Sequence, residues 1–357
     1  MSFPIICFDG GGIRGLVSAM MFEDLLENGD LKKTPAMYAG TSTGSFLAIG
    51  MASGMTARQF VEIYMTKGPV IFQPPAAPAG CSPLVAMAKG LGRLLGIWKD
   101  VEAVFAARYG AQGLHETLHP HLHERTMEDL AASGARVMVN SLQLWDPPDS
   151  VNDLAPTAIR TGYWRPVAIG TGPKDRLRSM RLIDAAMASG AAPMYFPPHL
   201  PETAQHQGYF ADGGIFANNP AAAAIAYAIS EYDVPFEDIS VLSFGTGGTT
   251  MGIPPRDIGD PDRWGGWKWL DPKGSRDGNV PAMPLLDASL SASAQACGEV
   301  ASHLLKERYI RADIALKSPY ALDDWKNVQW LHDYVQQYME YDERWAQKRA
   351  QVRASWA

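Results

Sequence analysis

Residues 36–44 read Ala-Met-Tyr-Ala-Gly-Thr-Ser-Thr-Gly, so a short apolar run leads directly into the spacing Gly40-x-Ser42-x-Gly44. This spacing is typical of a nucleophile elbow, in which a serine occupies a sharp turn between a strand and a helix. The two glycines fit because a Cβ beside such a turn would collide with the backbone. The small apolar residues 45–51 predict the following helix, whose N-terminal amides would lie beside the serine. We therefore predict that Ser42 is the reactive residue.

A second glycine cluster, Asp-Gly-Gly-Gly-Ile-Arg-Gly at residues 9–15, lies between a predicted strand over residues 3–8 and a predicted helix over residues 16–27. Two successive strand–glycine–helix units predict adjacent parallel strands whose turns share the carboxyl edge of an open sheet. The backbone N–H groups of this cluster would then face Ser42 and stabilise an oxyanion. A phosphate-binding turn, or an ordinary tight turn, is the alternative interpretation. The predicted oxyanion donors are Gly10, Gly11 and Gly12.

A third glycine-flanked position, Asp212, ends an apolar stretch and is followed by Gly213 and Gly214. An isolated Asp-Gly pair is more often a surface turn. Here, however, Asn219-Pro220 precedes a predicted helix over residues 221–230, so the acid belongs to an ordered strand–loop–helix unit. We predict that Asp212 is the base for Ser42.

In this order, the motifs at residues 9–15, 40–44, 188–193 and 212–214 resemble the patatin-like phospholipase family. With the segments at 242–247 and 284–289, the resemblance covers roughly residues 3–320. It implies a patatin-like catalytic domain over residues 1–320, with an α/β fold: a three-layer α/β/α sandwich around a mostly parallel sheet. It also implies a catalytic dyad of Ser42 and Asp212, and an oxyanion hole at Gly10, Gly11 and Gly12. The supporting positions are Arg14, Gly40, Gly44, Gly213 and Gly214.

The resemblance implies a lipid acyl hydrolase that cleaves carboxylic ester bonds of phospholipids or related lipids through an acyl-enzyme, without metal or cofactor. An aspartate of ordinary pKa is a poor base for a serine, so we expect Asp212 to be partly desolvated beside Ser42. The alternatives are a transacylase with the same dyad, and a phosphate- or nucleotide-binding regulatory module. A serine–acid–histidine triad would need His303 or His332, both in predicted amphipathic helices where a lone histidine is usually a packing or surface residue.

Composition restricts the partners and the compartment. With 31 basic and 38 acidic residues the net charge is −7, which gives no electrostatic footprint for nucleic acid. Cys7, Cys81 and Cys297 lack the spacing of a disulfide framework or a zinc site. No signal-like segment or run of 18 apolar residues occurs. We expect a cytoplasmic protein in transient contact with membranes, with secretion without a cleaved signal left open. Some soluble bacterial members of this family are switched on by a signal or host factor. The resemblance therefore implies a possible activator, which the sequence does not identify.

Two segments are candidates for access to the site. Residues 67–113 form an irregular insert, and its stripe of apolar residues predicts an amphipathic helix over residues 83–98. We favour a core cap over a membrane lid for this helix. Residues 249–284 predict a mobile loop with three tryptophans, which either contact lipid or pack on the body. The stripe consists of Leu84, Met87, Leu91, Leu94, Leu95 and Trp98.

The remaining predictions concern secondary structure. Strands are predicted over residues 136–145 and 163–169, and a helix over residues 182–192. His115, His119, His121 and His123 suggest a metal site, but Pro120 is expected to interrupt the helix and favours a polar surface turn. Residues 321–357 predict a C-terminal helical segment packed on the domain, where a homo-oligomer contact is also conceivable.

Overall fold

The central sheet contains seven strands among the residues that our computed structural model describes, which are 2–75, 107–146, 163–203, 207–248, 252–271, 273–275 and 280–356. Its strand order is β4-β3-β2-β1-β6-β7, with β5 added beside β3. The pairings of β1, β2, β3, β6 and β7 with one another are parallel, whereas β4 and β5 are antiparallel to β3. The strands are β1 (Phe3–Phe8), β2 (Met37–Thr41), β3 (Val137–Asp146), β4 (Tyr163–Gly170), β5 (Phe210–Asp212), β6 (Ile239–Phe244) and β7 (Tyr309–Ala312).

Helices cover both faces of this sheet. They are α1 (Gly15–Glu27), α2 (Thr43–Ala52), α3 (Ala57–Ile71), α4 (Gln112–Leu122), α5 (Met127–Ala132), α6 (Leu182–Ser189), α7 (Gly214–Ala217), α8 (Ala221–Tyr232), α9 (Pro255–Ile258), α10 (Gly266–Leu270), α11 (Pro284–Leu305), α12 (Val328–Tyr341) and α13 (Glu343–Trp356). Alternate residues of β1 serve opposite faces, as strand geometry requires. Ile6 and Phe8 join the core formed with α1 to α6, α12 and α13, while Ile5 and Cys7 join the core formed with α8 and α11. The predicted three-layer α/β/α sandwich is confirmed.

Most predicted elements form close to the expected bounds, but α6 is shorter than predicted. It ends at Ser189 instead of residue 192, with Gly190 at its C-cap. The phenyl ring of Phe46 lies 2.8 Å from where a Cβ at Gly190 would be, so a side chain at this position would require the ring to move. The early end has a structural consequence, because it frees the Ala191 carbonyl to accept the backbone N–H of Asp212 at 3.0 Å.

The expectation that Pro120 interrupts its helix is wrong. Pro120 lies inside α4, two residues before the helix ends at Leu122. A proline so close to the end removes only one hydrogen bond of the final turn, which limits its cost. His115 and His119 stack on this helix with ring centroids 5.2 Å apart, and His119 Nε2 lies 3.0 Å from Glu124 Oε1.

The two access segments are only partly described. The predicted amphipathic helix over residues 83–98 lies outside the described residues. Helix α3 extends to Ile71, so the insert begins later than residue 67. In the 249–284 segment the described residues form α9 and α10, and the Trp264 and Trp269 rings pack edge to face at 5.0 Å. No helix among the described residues is both long and apolar enough to cross a bilayer.

Candidate active site

Strand β3 brings the ends of β2 and β5 together. Thr41, the last residue of β2, is opposite Asn140, and Asp212, the last residue of β5, is opposite Ser141. Because β2 is parallel and β5 antiparallel to β3, their carboxyl ends meet head to head on the same side of that strand. The residue after Thr41 is Ser42, which therefore lies beside Asp212.

The backbone of Ser42 has the geometry of a sharp elbow. Its φ is 54° and its ψ is −127°, a conformation that non-glycine residues rarely adopt and that is retained only when the surroundings enforce it. The Ser42 N–H donates to Ser189 Oγ at 2.9 Å, and Ser189 Oγ in turn donates to the carbonyl of Asn140 at 2.7 Å. Ser45 Oγ donates to the Ser42 carbonyl at 2.5 Å. These bonds hold the strained turn from both sides.

The glycines on either side of Ser42 are required by close backbone approach. A Cβ at Gly40 would lie 2.1 Å from the Gly44 carbonyl oxygen, and a Cβ at Gly44 would lie 2.1 Å from the Phe8 carbonyl oxygen. Gly213 is equally constrained, since its Cβ would lie 2.4 Å from the Asn140 carbonyl oxygen. Any side chain at these positions would push β1, β2 or β3 away from the turn.

Asp212 is buried, with 1% of its surface exposed. Burial raises the pKa of the Asp212 carboxyl to about 6, while hydrogen bonds from the Ser42 hydroxyl and the Gly214 amide act in the opposite direction. The Gly214 N–H donates to Asp212 Oδ1 at 2.7 Å. The carboxylate is thus fixed by one backbone donor, and the side chain of Ser42 lines the same cavity beside it.

In the glycine loop at residues 10–12, one backbone amide is already hydrogen-bonded and two could donate to a ligand. The Gly10 N–H donates to the Asn218 carbonyl at 3.0 Å, so it is already satisfied. Within the described part of the chain, the amides of Gly11 and Gly12 have no acceptor. A Cβ at Gly10 would lie 3.0 Å from the Ser42 Cβ, which shows how closely the loop approaches the serine.

A cavity of about 870 Å³ of empty space, including its open mouth, extends from Ser42 and Asp212. Its walls beyond the glycine loop are largely apolar and aromatic and come from α2, α3, α4 and the segment after α6. These side chains are Phe46, Phe60, Ile63, Ile71, Phe72, Leu114, Leu118 and Phe196. An apolar cavity with a few polar groups at one end is the usual form of a small-molecule site.

Comparison with known proteins decides the family. A family model described as patatin-like phospholipase matches residues 6–225, more than half of the chain. The chain belongs to the patatin-like phospholipase family. It is 29% identical over 287 residues to a cGAMP-activated phospholipase of Escherichia coli (strain TW11681), covering 76% of this chain and 69% of that protein. It is 25% identical over 329 residues to the putative sporulation hydrolase CotR of Bacillus subtilis (strain 168), covering 87% of each.

Among solved structures, the chain matches VipD from Legionella pneumophila at 14% identity and a TM-score of 0.37, covering 93% of this chain and 67% of that one. It also matches human GIVD cytosolic phospholipase A2 at 12% identity and a TM-score of 0.39, covering 99% of this chain and 60% of that one.

The two histidines of the alternative triad lie elsewhere in this patatin-like chain. Among the described residues that line the Ser42 cavity there is no histidine. His303 is exposed on α11, where its Nδ1 lies 2.9 Å from the Glu299 carbonyl, and His332 is beside Asp333 on α12. Among the described residues, the geometry therefore offers Ser42 a carboxylate and no imidazole.

Three polar residues at the patatin-like site have no local sequence signal for their positions in the network. Ser189 lies within the motif at 188–193, but nothing local indicates that it binds the Ser42 amide. Asn140 donates through Nδ2 to Thr41 Oγ1 at 3.0 Å, and Asn218 donates through Nδ2 to the Gly10 carbonyl at 3.2 Å. Each contact joins elements that are distant in sequence, so spacing alone could not have indicated it.

Proposed function

We propose that this protein is a lipid acyl hydrolase of the phospholipase A type, with Ser42 as nucleophile and Asp212 as its base. The observation that carries the proposal is the placement of Ser42, on its strained turn, beside the buried Asp212 carboxyl at the end of an apolar cavity. A carboxyl whose pKa is raised to about 6 is a stronger base than an exposed aspartate, yet remains ionised at neutral pH. This combination suits abstraction of a serine proton without histidine.

The proposed oxyanion hole consists of the Gly11 and Gly12 amides. Gly10 was expected to contribute as well, but its engagement with Asn218 favours a role in holding the loop in place. The N-terminus of α2, directly after Ser42, adds the positive end of a helix dipole. Losing one donor in comparable sites costs about 3 kcal/mol of transition-state stabilisation, so the loop and the dyad would matter to a similar extent.

The cavity walls support a substrate with an acyl chain. Aromatic and branched side chains surround the space beyond Ser42, and each CH₂ group buried there contributes about 0.8 kcal/mol. Arg14, which lines the same cavity, has a buried Nε without a partner among the described residues. A phosphodiester next to the ester would supply that partner, which favours a phospholipid over a neutral ester.

The proposed reaction has two halves. Ser42 Oγ attacks the ester carbonyl while its proton passes to Asp212, and the Gly11 and Gly12 amides stabilise the oxyanion. The alcohol leaves with the proton from Asp212, and an acyl-enzyme remains. Water then attacks the acyl-enzyme with Asp212 again accepting the proton. Asp212 returns this proton to Ser42 Oγ as the ester bond to the serine breaks, and free fatty acid leaves. An alcohol in place of water would give acyl transfer through the same residues, which is the second candidate activity.

The test is product analysis on vesicles of mixed phospholipids, with wild type, Ser42→Ala and Asp212→Ala. Ser53→Ala is the matched control, because Ser53 lies at the opposite end of α2. We expect both dyad variants to lose at least about 10³-fold in fatty-acid release and the control to match wild type. Each assay is run with and without cGAMP, since relatives are named as cGAMP-activated phospholipases.

The outcomes separate the candidates. Fatty-acid release that survives in Ser42→Ala would refute the dyad. Products made only when an acceptor alcohol is added would favour a transacylase. Tight binding of phosphate or a nucleotide, with no Ser42-dependent product under any condition, would favour a regulatory binding module. Association with the vesicles only during turnover would fit the proposed transient membrane contact of a cytoplasmic enzyme.

A further inference from the structure

A second cavity lies next to the catalytic one, beyond the glycine loop. It has about 1140 Å³ of empty space, including its open mouth. The carboxyl ends of β6 and β7 form its floor, and α11 forms one side. The two cavities share Arg14 and Asn218 as lining residues, so these two side chains lie at the boundary between them.

The second cavity is polar and negatively charged. Four carboxylates line it, Asp9, Asp287, Glu299 and Asp313, against the two guanidinium groups of Arg14 and Arg311. Arg311 is already engaged, because its Nη2 donates to Asp9 Oδ2 at 2.6 Å and to Asp313 Oδ2 at 2.7 Å. Its Nη1 donates to Ser243 Oγ at 2.9 Å. An incoming group therefore meets an excess of two negative charges.

Asp9 supplies an independent indication of a ligand. Only 2% of its surface is exposed, and its Oδ1 has no hydrogen-bond partner among the described residues. A buried carboxylate oxygen without a donor is costly, so such atoms are normally paired. Burial raises the pKa of Asp9 to about 6 despite Arg311, which leaves the group ionised at neutral pH. The missing partner is a hydrogen-bond donor, and a cationic one fits the charge.

The order of charges along the cavity wall indicates which chemical class of ligand fits. Arg14 lines both cavities, whereas Asp287 and Asp313 line only the second, and both carboxylates act electrostatically on Arg14. A phosphate joined to an ammonium group by a short linker has the complementary order. An anionic headgroup has only the first half of this pattern and would face the carboxylates with hydroxyls alone.

We propose that this second cavity binds the ammonium group of a zwitterionic phospholipid headgroup, with Asp9 and Asp287 as its acceptors and Arg14 at the phosphate. The assignment rests on the proposed function, because it extends the same substrate from Ser42 across Arg14. It makes zwitterionic phospholipids, rather than anionic ones, the preferred substrates. Asp9 and Asp287 are then specificity-determining residues.

The experiment uses dihexanoyl phospholipids below their micelle concentration, which removes effects of surface charge. The headgroups compared are ethanolamine and glycerol, and the readout is the ratio of their kcat/KM values. We expect wild type to favour ethanolamine by about tenfold. In Asp9→Asn and Asp287→Asn the ratio should fall toward one, mainly through KM. Glu307→Gln, an exposed carboxylate just after α11 and outside the cavity, is the matched control with an unchanged ratio.

Several results would overturn the assignment. A wild-type ratio of one or below would do so, as would variants that slow both substrates equally. A second measurement needs no turnover: calorimetric binding of glycerophosphoethanolamine and glycerophosphoglycerol to Ser42→Ala. A preference for the first that is lost in Asp287→Asn supports the headgroup site. Failure of the proposed function is distinguishable, because no ester, including one without a headgroup, would then be hydrolysed in a Ser42-dependent way.

Discussion

At the scale of single residues, the proposed role of Asp212 as the base implies that its ionisation sets a pH limit on activity. Its pKa is raised to about 6 by burial, and a carboxyl can accept the serine proton only when it is ionised. We therefore predict that kcat/KM on an uncharged short-chain ester rises with pH through about 6 and is level above about pH 7. The measurement is a pH–rate profile of kcat/KM, which reports the free enzyme. An apparent pKa near 4 would mean that Asp212 is not the base.

The same burial makes Asp212 a cost to stability at neutral pH. The folded pKa lies above the unfolded value near 3.9, so the folded state holds the extra proton between about pH 4 and 6, and stability falls as pH rises through that range. Asp212→Asn keeps an acceptor for Gly214 and carries no charge. We predict a nearly inactive protein whose melting temperature at pH 8 equals or exceeds that of wild type. Calorimetry at pH 8 and pH 5 tests this. The difference in melting temperature between the variant and wild type should be smaller at pH 5, because Asp212 is then largely protonated in the folded state.

Ser189 binds the backbone of the proposed nucleophile and is not among the described residues that line the Ser42 cavity. Its removal leaves the Ser42 amide without its acceptor, at a cost of about 1 to 3 kcal/mol. We predict that Ser189→Ala lowers kcat by about 10- to 100-fold with a smaller change in KM, because the elbow is less well held. Ser230→Ala, an exposed serine on α8, is the control. An unchanged kcat together with a lower free energy of unfolding would mean that Ser189 has only a structural role.

At the scale of elements, the sequence predicts local features and the parallel pairing of β1 with β2, but not the antiparallel pairing of β4 and β5 with β3. The elbow at Ser42 and the glycines after Asp212 follow from chain geometry within a few residues, so their motifs indicate both. The antiparallel direction of β4 and β5 depends on how the chain returns to β3 on each of its edges, and no periodicity within either strand indicates that. For the same reason the engagement of Gly10 with Asn218 was not predicted, since it joins residues from distant parts of the chain.

The close packing of β1 against α2 gives a sharp test at element level. A Cβ at Gly44 would lie 2.1 Å from the Phe8 carbonyl, a backbone atom that cannot move without shifting β1. We predict that Gly44→Ala abolishes activity and destabilises the fold by more than about 2 kcal/mol, through strain comparable to overpacking a core. Gly252→Ala is the matched control, because nothing lies within 4 Å of its would-be Cβ. Similar urea midpoints for the two variants would contradict the described packing.

At the scale of the whole molecule, the C-terminal helices complete the core on one face of the sheet. Trp345 and Trp356 of α13 are fully buried against it. Trp345 Nε1 donates to Asp24 Oδ2 at 2.8 Å. Arg349 and Arg353 both bind the buried Asp30, which follows α1. Segments that are more than 300 residues apart in sequence are thus joined by buried apolar side chains and by ion pairs. We infer that α13 is needed for the domain to fold.

Replacing Trp345 tests this inference. Removing a fully buried tryptophan leaves a cavity and takes one hydrogen-bond donor from Asp24, which keeps Asn28 and Arg349 as partners. Such truncations cost about 3 to 5 kcal/mol. We predict that Trp345→Ala lowers the free energy of unfolding, measured with urea, by about 3 to 5 kcal/mol. The pH profile of kcat/KM should not change, because the folded molecules keep the same site. Trp267→Ala removes a side chain that is 59% exposed and should shift stability by no more than about 0.5 kcal/mol. If the two substitutions lowered the free energy of unfolding equally, α13 would not be needed for folding. The sheet and its other helices would then be sufficient to form the candidate active site.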